Sequence, residues 1–130
     1  MSGWDAWTDG LLEKGAYYCG IHGRDGNPWS SRNMSIPPAD AKLLEEYIRK
    51  NDQEIFSKGV LINKEKWVPV RMEDGVLVMK GHGDNKDKLM TVCLTKQALV
   101  FGCNKDSSIQ GGQVRNAVEE VKANLENQGY

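Results

Sequence analysis

Between Gly59 and Cys103 the chain consists of short β-prone runs separated by breaks too brief to cross a sheet. The runs are 60–62, 66–72, 76–80, 88–94 and 98–103. The breaks are Asn63-Lys64-Glu65, Glu73-Asp74-Gly75, Gly81 to Asp87 and Thr95-Lys96-Gln97. Parallel neighbours need crossovers of about a dozen residues or more, so strands joined this closely pair antiparallel. The expectation is an antiparallel meander.

The segments on either side read as helices and a hairpin. Trp4, Trp7 and Leu11, with Thr8 and Leu12 beside them, recur at helical spacing and predict a short amphipathic helix ending near Gly15. Residues 16–22 are β-prone, Asp25-Gly26 makes a turn, and Trp29 lies on the returning strand. Pro37-Pro38 opens a second helix, because proline is tolerated in a helix's first turn. Leu43, Leu44, Tyr47 and Ile48 form its apolar stripe, and Asn51-Asp52 ends it. After Gly111-Gly112, a final helix carries Val114, Ala117, Val118, Val121 and Leu125 at steps of three and four. The fold class is therefore α+β: one domain over residues 1–130, with a central antiparallel sheet sandwiched by helices. Each terminal helix has one apolar face, which places both on the sheet side by side.

Most chemistry is excluded. A formal charge of −1, from 17 basic and 18 acidic residues, argues against a nucleic-acid-binding domain. No apolar run approaches the roughly eighteen residues that span a bilayer. Met1 to Asp5 lacks a basic and apolar leader, so secretion is not expected. Three cysteines, Cys19, Cys93 and Cys103, cannot pair completely and form no CxxC, which suits a reducing, intracellular setting. Cys19 and His22 could be metal ligands or a thiol with its base, but residues three apart on a strand face opposite ways. Cys93 and Cys103 lie on separate strands and supply no second ligand pair. Gly81-His82-Gly83 lacks the helix and lysine of a phosphate loop. No catalytic residue, metal or cofactor is expected. Gly111-Gly112 reads as a tight turn or a close approach, with anion binding at the helix start the alternative.

The aromatic residues are more telling. Trp4, Trp7 and Tyr130 lie at the two ends of the sequence, where large rings either complete a core or face a partner. Rigid aromatics between two helices are one way to grip polyproline: its helix arrives extended, and indole N–H and phenol O–H groups can bond its carbonyls. On the strand Lys66 to Met72, alternation assigns Val68, Val70 and Met72 to the core and Trp67, Pro69 and Arg71 to the opposite face. That would expose a tryptophan beside an arginine, a typical interface anchor, unless a small helix covers the face. Pro69 also marks the strand as an edge there. Lys58, Lys64, Lys66, Arg71, Lys80, Lys86 and Lys88 gather loosely around this strand. Such a pattern is a solvated face, or a surface for an acidic protein or anionic lipid headgroups.

In their order these features resemble the profilin family. Trp4-Asp5-Ala6-Trp7-Thr8-Asp9 resembles its W-x-x-Y-x-D opening, and Gly26-Asn27-Pro28-Trp29 resembles its second-strand tryptophan. Thr95 to Gly102, Gly111-Gly112, the last helix and a terminal aromatic complete a likeness that covers essentially the whole chain. It implies a cytoplasmic, cytoskeleton-associated monomer that binds monomeric actin and proline-rich proteins, such as formins and other actin-assembly factors. Anionic phosphoinositide lipids are further implied partners. A polyproline site is implied at Trp4, Trp7, Trp29, Leu125 and Tyr130. An actin surface is implied at Lys66, Trp67, Pro69, Arg71, Lys88, Met90, Gln110, Gly111, Gly112, Arg115 and Glu120. Lipid binding would fall to Lys64, Lys66, Arg71, Lys80 and Lys88. Trp7 stands where the family usually has tyrosine, Gly10 where asparagine is common, and Asn124 and Gln110 where many animal members have histidine. The alternative is a profilin-like or longin-like scaffold or trafficking module without actin activity.

Overall fold

Residues 98–103 alternate side chains between two apolar layers, and this strand lies in the middle of the sheet. A computed structural model describes residues 3–130. Its helices are α1 (Trp4–Glu13), α2 (Pro38–Lys50), α3 (Ile55–Lys58) and α4 (Gly111–Asn127). Its strands are β1 (Tyr18–Gly23), β2 (Pro28–Arg32), β3 (Val60–Ile62), β4 (Glu65–Glu73), β5 (Val76–Gly81), β6 (Leu89–Leu94) and β7 (Ala98–Cys103). They form one antiparallel sheet in the order β2-β1-β7-β6-β5-β4-β3. The meander from β3 to β7 is as the short connections require, and the β1–β2 hairpin extends it along β7.

Leu99, Phe101 and Cys103 point to the layer holding Ala41, Leu44 and Ile48 of α2 and Ile55 of α3. Ala98 and Val100 point the other way, into the layer built by Leu11 of α1 and Val114, Val118, Val121 and Leu125 of α4. The terminal helices thus share one face. Gly102 is where they come nearest the sheet: a Cβ there would lie 2.6 Å from Val118 Cγ2 and 3.2 Å from the Ala16 Cβ.

Local chemistry sets the helix ends. Pro38 opens α2, and Asn51, with φ of 50°, stops it in the left-handed region. The one-turn helix α3 was not expected, because four residues are too few to show a period. Glu45, on the inner side of α2, is buried among Arg24 (2.7 Å), Lys42 (3.2 Å) and Arg49 (3.1 Å). Burial pushes its carboxyl up, but the hydrogen bonds from these three cations outweigh that and hold its pKa below the ordinary value. Arg24 also donates to the Thr95 carbonyl at 2.9 Å, tying the β1–β2 turn and α2 to the β6–β7 turn.

Strand β4 departs from simple alternation. A bulge between Pro69 and Arg71 leaves Val70 and Arg71 both facing solvent. Trp67 and Pro69 therefore point inward, and Val68 and Val70 outward, the reverse of the expected faces. Trp67 is only 2% exposed. Its indole N–H has no partner among the described residues, a shortfall that typically costs about 1–3 kcal/mol. Pro69 does sit on an edge, since β3 pairs only with Glu65, Lys66 and Trp67.

Replacing Gly102 with alanine should therefore overpack the terminal-helix layer. Urea unfolding of Gly102→Ala is expected to show a loss of about 1–3 kcal/mol with an unchanged m-value. Wild-type stability would mean that the helices do not press on this strand.

Candidate functional site

Three aromatic rings from distant parts of the chain meet at one end of the terminal-helix layer. Trp4 of α1 lies 4.7 Å from Trp29 of β2, ring centre to ring centre, and 5.1 Å from Tyr130 in an edge-to-face arrangement. Each is held from behind. The Ser30 hydroxyl donates to Asp5 Oδ1 at 2.6 Å and lies 2.9 Å from Thr8 Oγ1, while Arg32 reaches Asp9 at 3.0 Å. These contacts fasten α1 to β2. On the other side, the Thr95 hydroxyl donates to the main-chain oxygen of Tyr130 at 2.7 Å, and the Tyr130 N–H donates to the Leu125 carbonyl at 2.9 Å. Tyr130 remains 39% exposed. The result is an indole and phenol surface fixed to the fold yet open to solvent.

Trp7 stands one helical turn further along. With Gly10, Lys14, Glu120 and Asn124 it lines a shallow cavity of about 190 Å³ between α1 and α4. A Cβ at Gly10 would meet nothing within 4 Å, so this mid-helix glycine leaves the groove open without being required by packing. Leu125 corrects the expectation: it is fully buried, and it supports the rings from beneath without lining the groove.

A second open surface lies on the part of the same sheet face that the terminal helices leave bare. Lys66, Val68, Val70, Arg71 and Lys80 are exposed there, with Val68 opposite Lys80 and Leu61 opposite Lys66 across the strand pairs. Val70 is 58% exposed and Leu61 61%, large apolar exposures beside cations. Lys80, Lys86, Gln110 and Gly111 then border a groove of about 440 Å³ running to the start of α4. Gly111 permits a close approach, since a Cβ there would lie 2.4 Å from Leu89 Cδ2, whereas Gly112 is exposed. On α4, Arg115 pairs with Glu119 at 3.2 Å and Glu120 with Lys14 at 2.9 Å.

Three expected members of this surface are not on it. Trp67 and Pro69 are turned into the α2 layer by the bulge, and Met90 is fully buried in the same layer. Lys88 is turned that way too, with its ammonium 4.7 Å from the centre of the Tyr18 ring. Lys64 is exposed in the β3–β4 turn. The apolar residues missed from sequence, Leu61, Val68 and Val70, had one available signal. A proline in an open-edge strand invites a bulge, and a bulge inverts the faces.

Two open surfaces held on one two-layered sheet define a binding module. A family model described as Profilin matches residues 2–130. The chain is 28% identical to profilin-A of Physarum polycephalum over 131 residues, covering 98% of each protein. The crystal structure of Acanthamoeba castellanii profilin II superimposes with a TM-score of 0.86 at 26% identity, covering 98% of this chain and 100% of that one. Two more distant structures share the fold with partners bound. Mouse profilin IIa with a double repeat from the FH1 domain of mDia1 gives a TM-score of 0.81 at 20% identity, covering 99% of this chain and 100% of that one. LokiProfilin1 with rabbit actin gives 0.74 at 18%, covering 98% of each chain. The chain belongs to the profilin family, whose members are actin-binding proteins and not enzymes.

Cys19 and His22 do not meet. Cys19 lies in the terminal-helix layer, whereas His22 points the other way, 5.8 Å from the ring of Phe101. All three thiols are free, buried and pushed up by that burial to about 12, which leaves them inert as nucleophiles. Among the described residues no group of three or more His, Cys, Asp or Glu side chains could hold a metal, and no helix is long and apolar enough to cross a membrane.

His22 bonds through Nδ1 to the Gly26 carbonyl at 2.9 Å, which makes Nδ1 the protonated nitrogen of the neutral ring. Burial lowers its pKa below 6.5, and the hydrogen bond to Gly26 only partly offsets this. The unfolded chain therefore takes up a proton near its ordinary pKa while the folded chain does not. The contribution is complete above pH 6.5 and is lost as pH falls from there toward the lowered value. Urea unfolding should weaken between pH 7.5 and 5.5 by up to about 1.4 kcal/mol per pH unit, and equally so in His82→Gln. A flat profile would show that His22 is not held neutral.

Proposed function

We propose that this chain binds monomeric actin on the open face of β4, β5 and the start of α4, and proline-rich segments on the Trp4–Trp29–Tyr130 surface, thereby regulating actin polymerisation. The observation that carries the reading is the meeting of those three rings, drawn from α1, β2 and the residue beyond α4. A polyproline helix exposes a full set of unbonded carbonyls and ring faces and loses little entropy on docking. Indole and phenol rings at this spacing offer flat walls with polar edges. Trp7 and the cavity beside it extend the track. The solved complex of mouse profilin IIa with FH1 repeats supports a proline-rich partner, such as a formin, for the same fold.

For actin, support comes from the complex of LokiProfilin1 with rabbit actin and from the surface itself. Exposed Val68 and Val70 provide apolar area, with Lys66, Arg71 and Lys80 beside them for an acidic counterpart. Gln110 to Gly112, Arg115 and Glu120 continue it on α4. The two surfaces are separate, so one molecule can hold actin while a proline-rich protein holds it. Tethering then raises the local actin concentration near a growing filament end. Action of this kind places the chain in the cytoplasm with the cytoskeleton. Phosphoinositide headgroups fit the same cationic surface through Lys64, Lys66, Arg71 and Lys80, where lipid and actin would compete.

Reciprocal variants test the assignment. Trp4→Ala should lower octaproline affinity at least tenfold, about 1.4 kcal/mol, while sequestering pyrene-labelled actin monomers as the wild type does. Arg71→Glu should raise the concentration needed for sequestration severalfold and leave octaproline binding intact. Folded variants that show both activities unchanged would overturn both surfaces.

A further inference from the structure

The α2 side of the sheet holds a cleft of about 310 Å³ that neither proposed surface uses. Tyr18, Met34, Ile62 and Trp67 supply its apolar and aromatic wall, and Lys88 and Glu65 stand at its rim. Trp67 is 2% exposed, and its indole N–H is without an acceptor among the described residues. A single water could take that proton, but the cleft is about ten times the roughly 30 Å³ that a water occupies in the liquid. Its volume falls instead at the lower end of small-molecule sites, about 300–1,000 Å³.

The charges around the cleft indicate what it would hold. Lys88 has no acidic partner among the described residues; its ammonium donates to Asn85 Oδ1 at 2.8 Å and rests over Tyr18. Glu65, the acid at the rim, is exposed and accepts from the Asn85 amide nitrogen. Asn85 thus stands between the two charges and leaves the cation uncompensated. Its own position is enforced: a Cβ on Gly81 would lie 1.9 Å from the Asn85 carbonyl oxygen, so only glycine lets the 3₁₀ turn fold this close to the sheet. An unpaired cation and a buried unpaired donor both call for an acceptor, and the rings beside them call for a flat apolar body.

We propose that this cleft is a binding site for a small aromatic carboxylate, its ring against Trp67 and Tyr18 and its acidic group between the Trp67 N–H and Lys88. The site is independent of the actin and polyproline readings. The test is a titration of the ¹⁵N-labelled protein with 2-naphthoate, following the indole N–H signals of its four tryptophans. The Trp67 signal is assigned by its loss in Trp67→Phe, or by sequential assignment if that variant unfolds. The expected result is a saturable shift of the Trp67 signal, with the apparent affinity lowered at least tenfold by Lys88→Met and at least tenfold for the uncharged naphthalene-2-carboxamide. A Trp67 signal that stays fixed up to millimolar naphthoate would overturn the proposal. So would a shift that Lys88→Met leaves unchanged, or an amide that binds as well as the acid.

Discussion

Strand β7 is covered on both faces, and that double burial is the constraint on which the architecture rests. Its odd residues, Leu99, Phe101 and Cys103, belong to the α2 layer, and Ala98 and Val100 to the layer of the terminal helices. Because side chains alternate strictly along a strand, a one-residue slip would exchange every contact in both layers at once. Gly102 completes the arrangement by clearing room for Val118 and Ala16. The terminal helices therefore reach their shared face through packing, and the polar contacts act afterwards as latches.

Those latches determine where function can sit. Asp5, Thr8 and Ser30 join α1 to β2, and Thr95 joins the end of α4 to the β6–β7 turn. Neither set is large in energy, but together they bring three rings from three elements within about van der Waals reach. Elsewhere on that face the helices simply run out, leaving β4 and the outer side of β5 bare. One packing decision thus creates two surfaces: the rings where the helix ends converge, and an apolar and cationic strip where the helices do not extend.

Much of this was legible in the residues. Connection lengths dictated antiparallel pairing, and the spacing of Val114, Val118, Val121 and Leu125 identified the inner face of α4. The tryptophans and tyrosine at the two ends pointed to a shared surface, and resemblance to a family ordered these signs. What failed was local. The period of two along Lys66 to Met72 presumes an unbroken strand, whereas the bulge after Pro69 reverses the faces and buries Trp67. Leu125 and Met90 were taken as surface residues through resemblance, yet burial depends on what packs above them, which no local pattern encodes. Helix α3 and the 3₁₀ turn are shorter than any period that could announce them. The Trp67 cleft was invisible for a further reason: its walls come from five separate segments.

The most direct measurement of the two-surface account is whether both partners can occupy one molecule. Sedimentation velocity with fluorescein-labelled octaproline, this protein and monomeric actin reports the label's mass as the complex grows. The account predicts that the label moves with the actin-bound species, and that saturating octaproline leaves the affinity for actin unchanged. Displacement of the labelled peptide by actin would contradict it, because the rings and the bare strands would then belong to a single site.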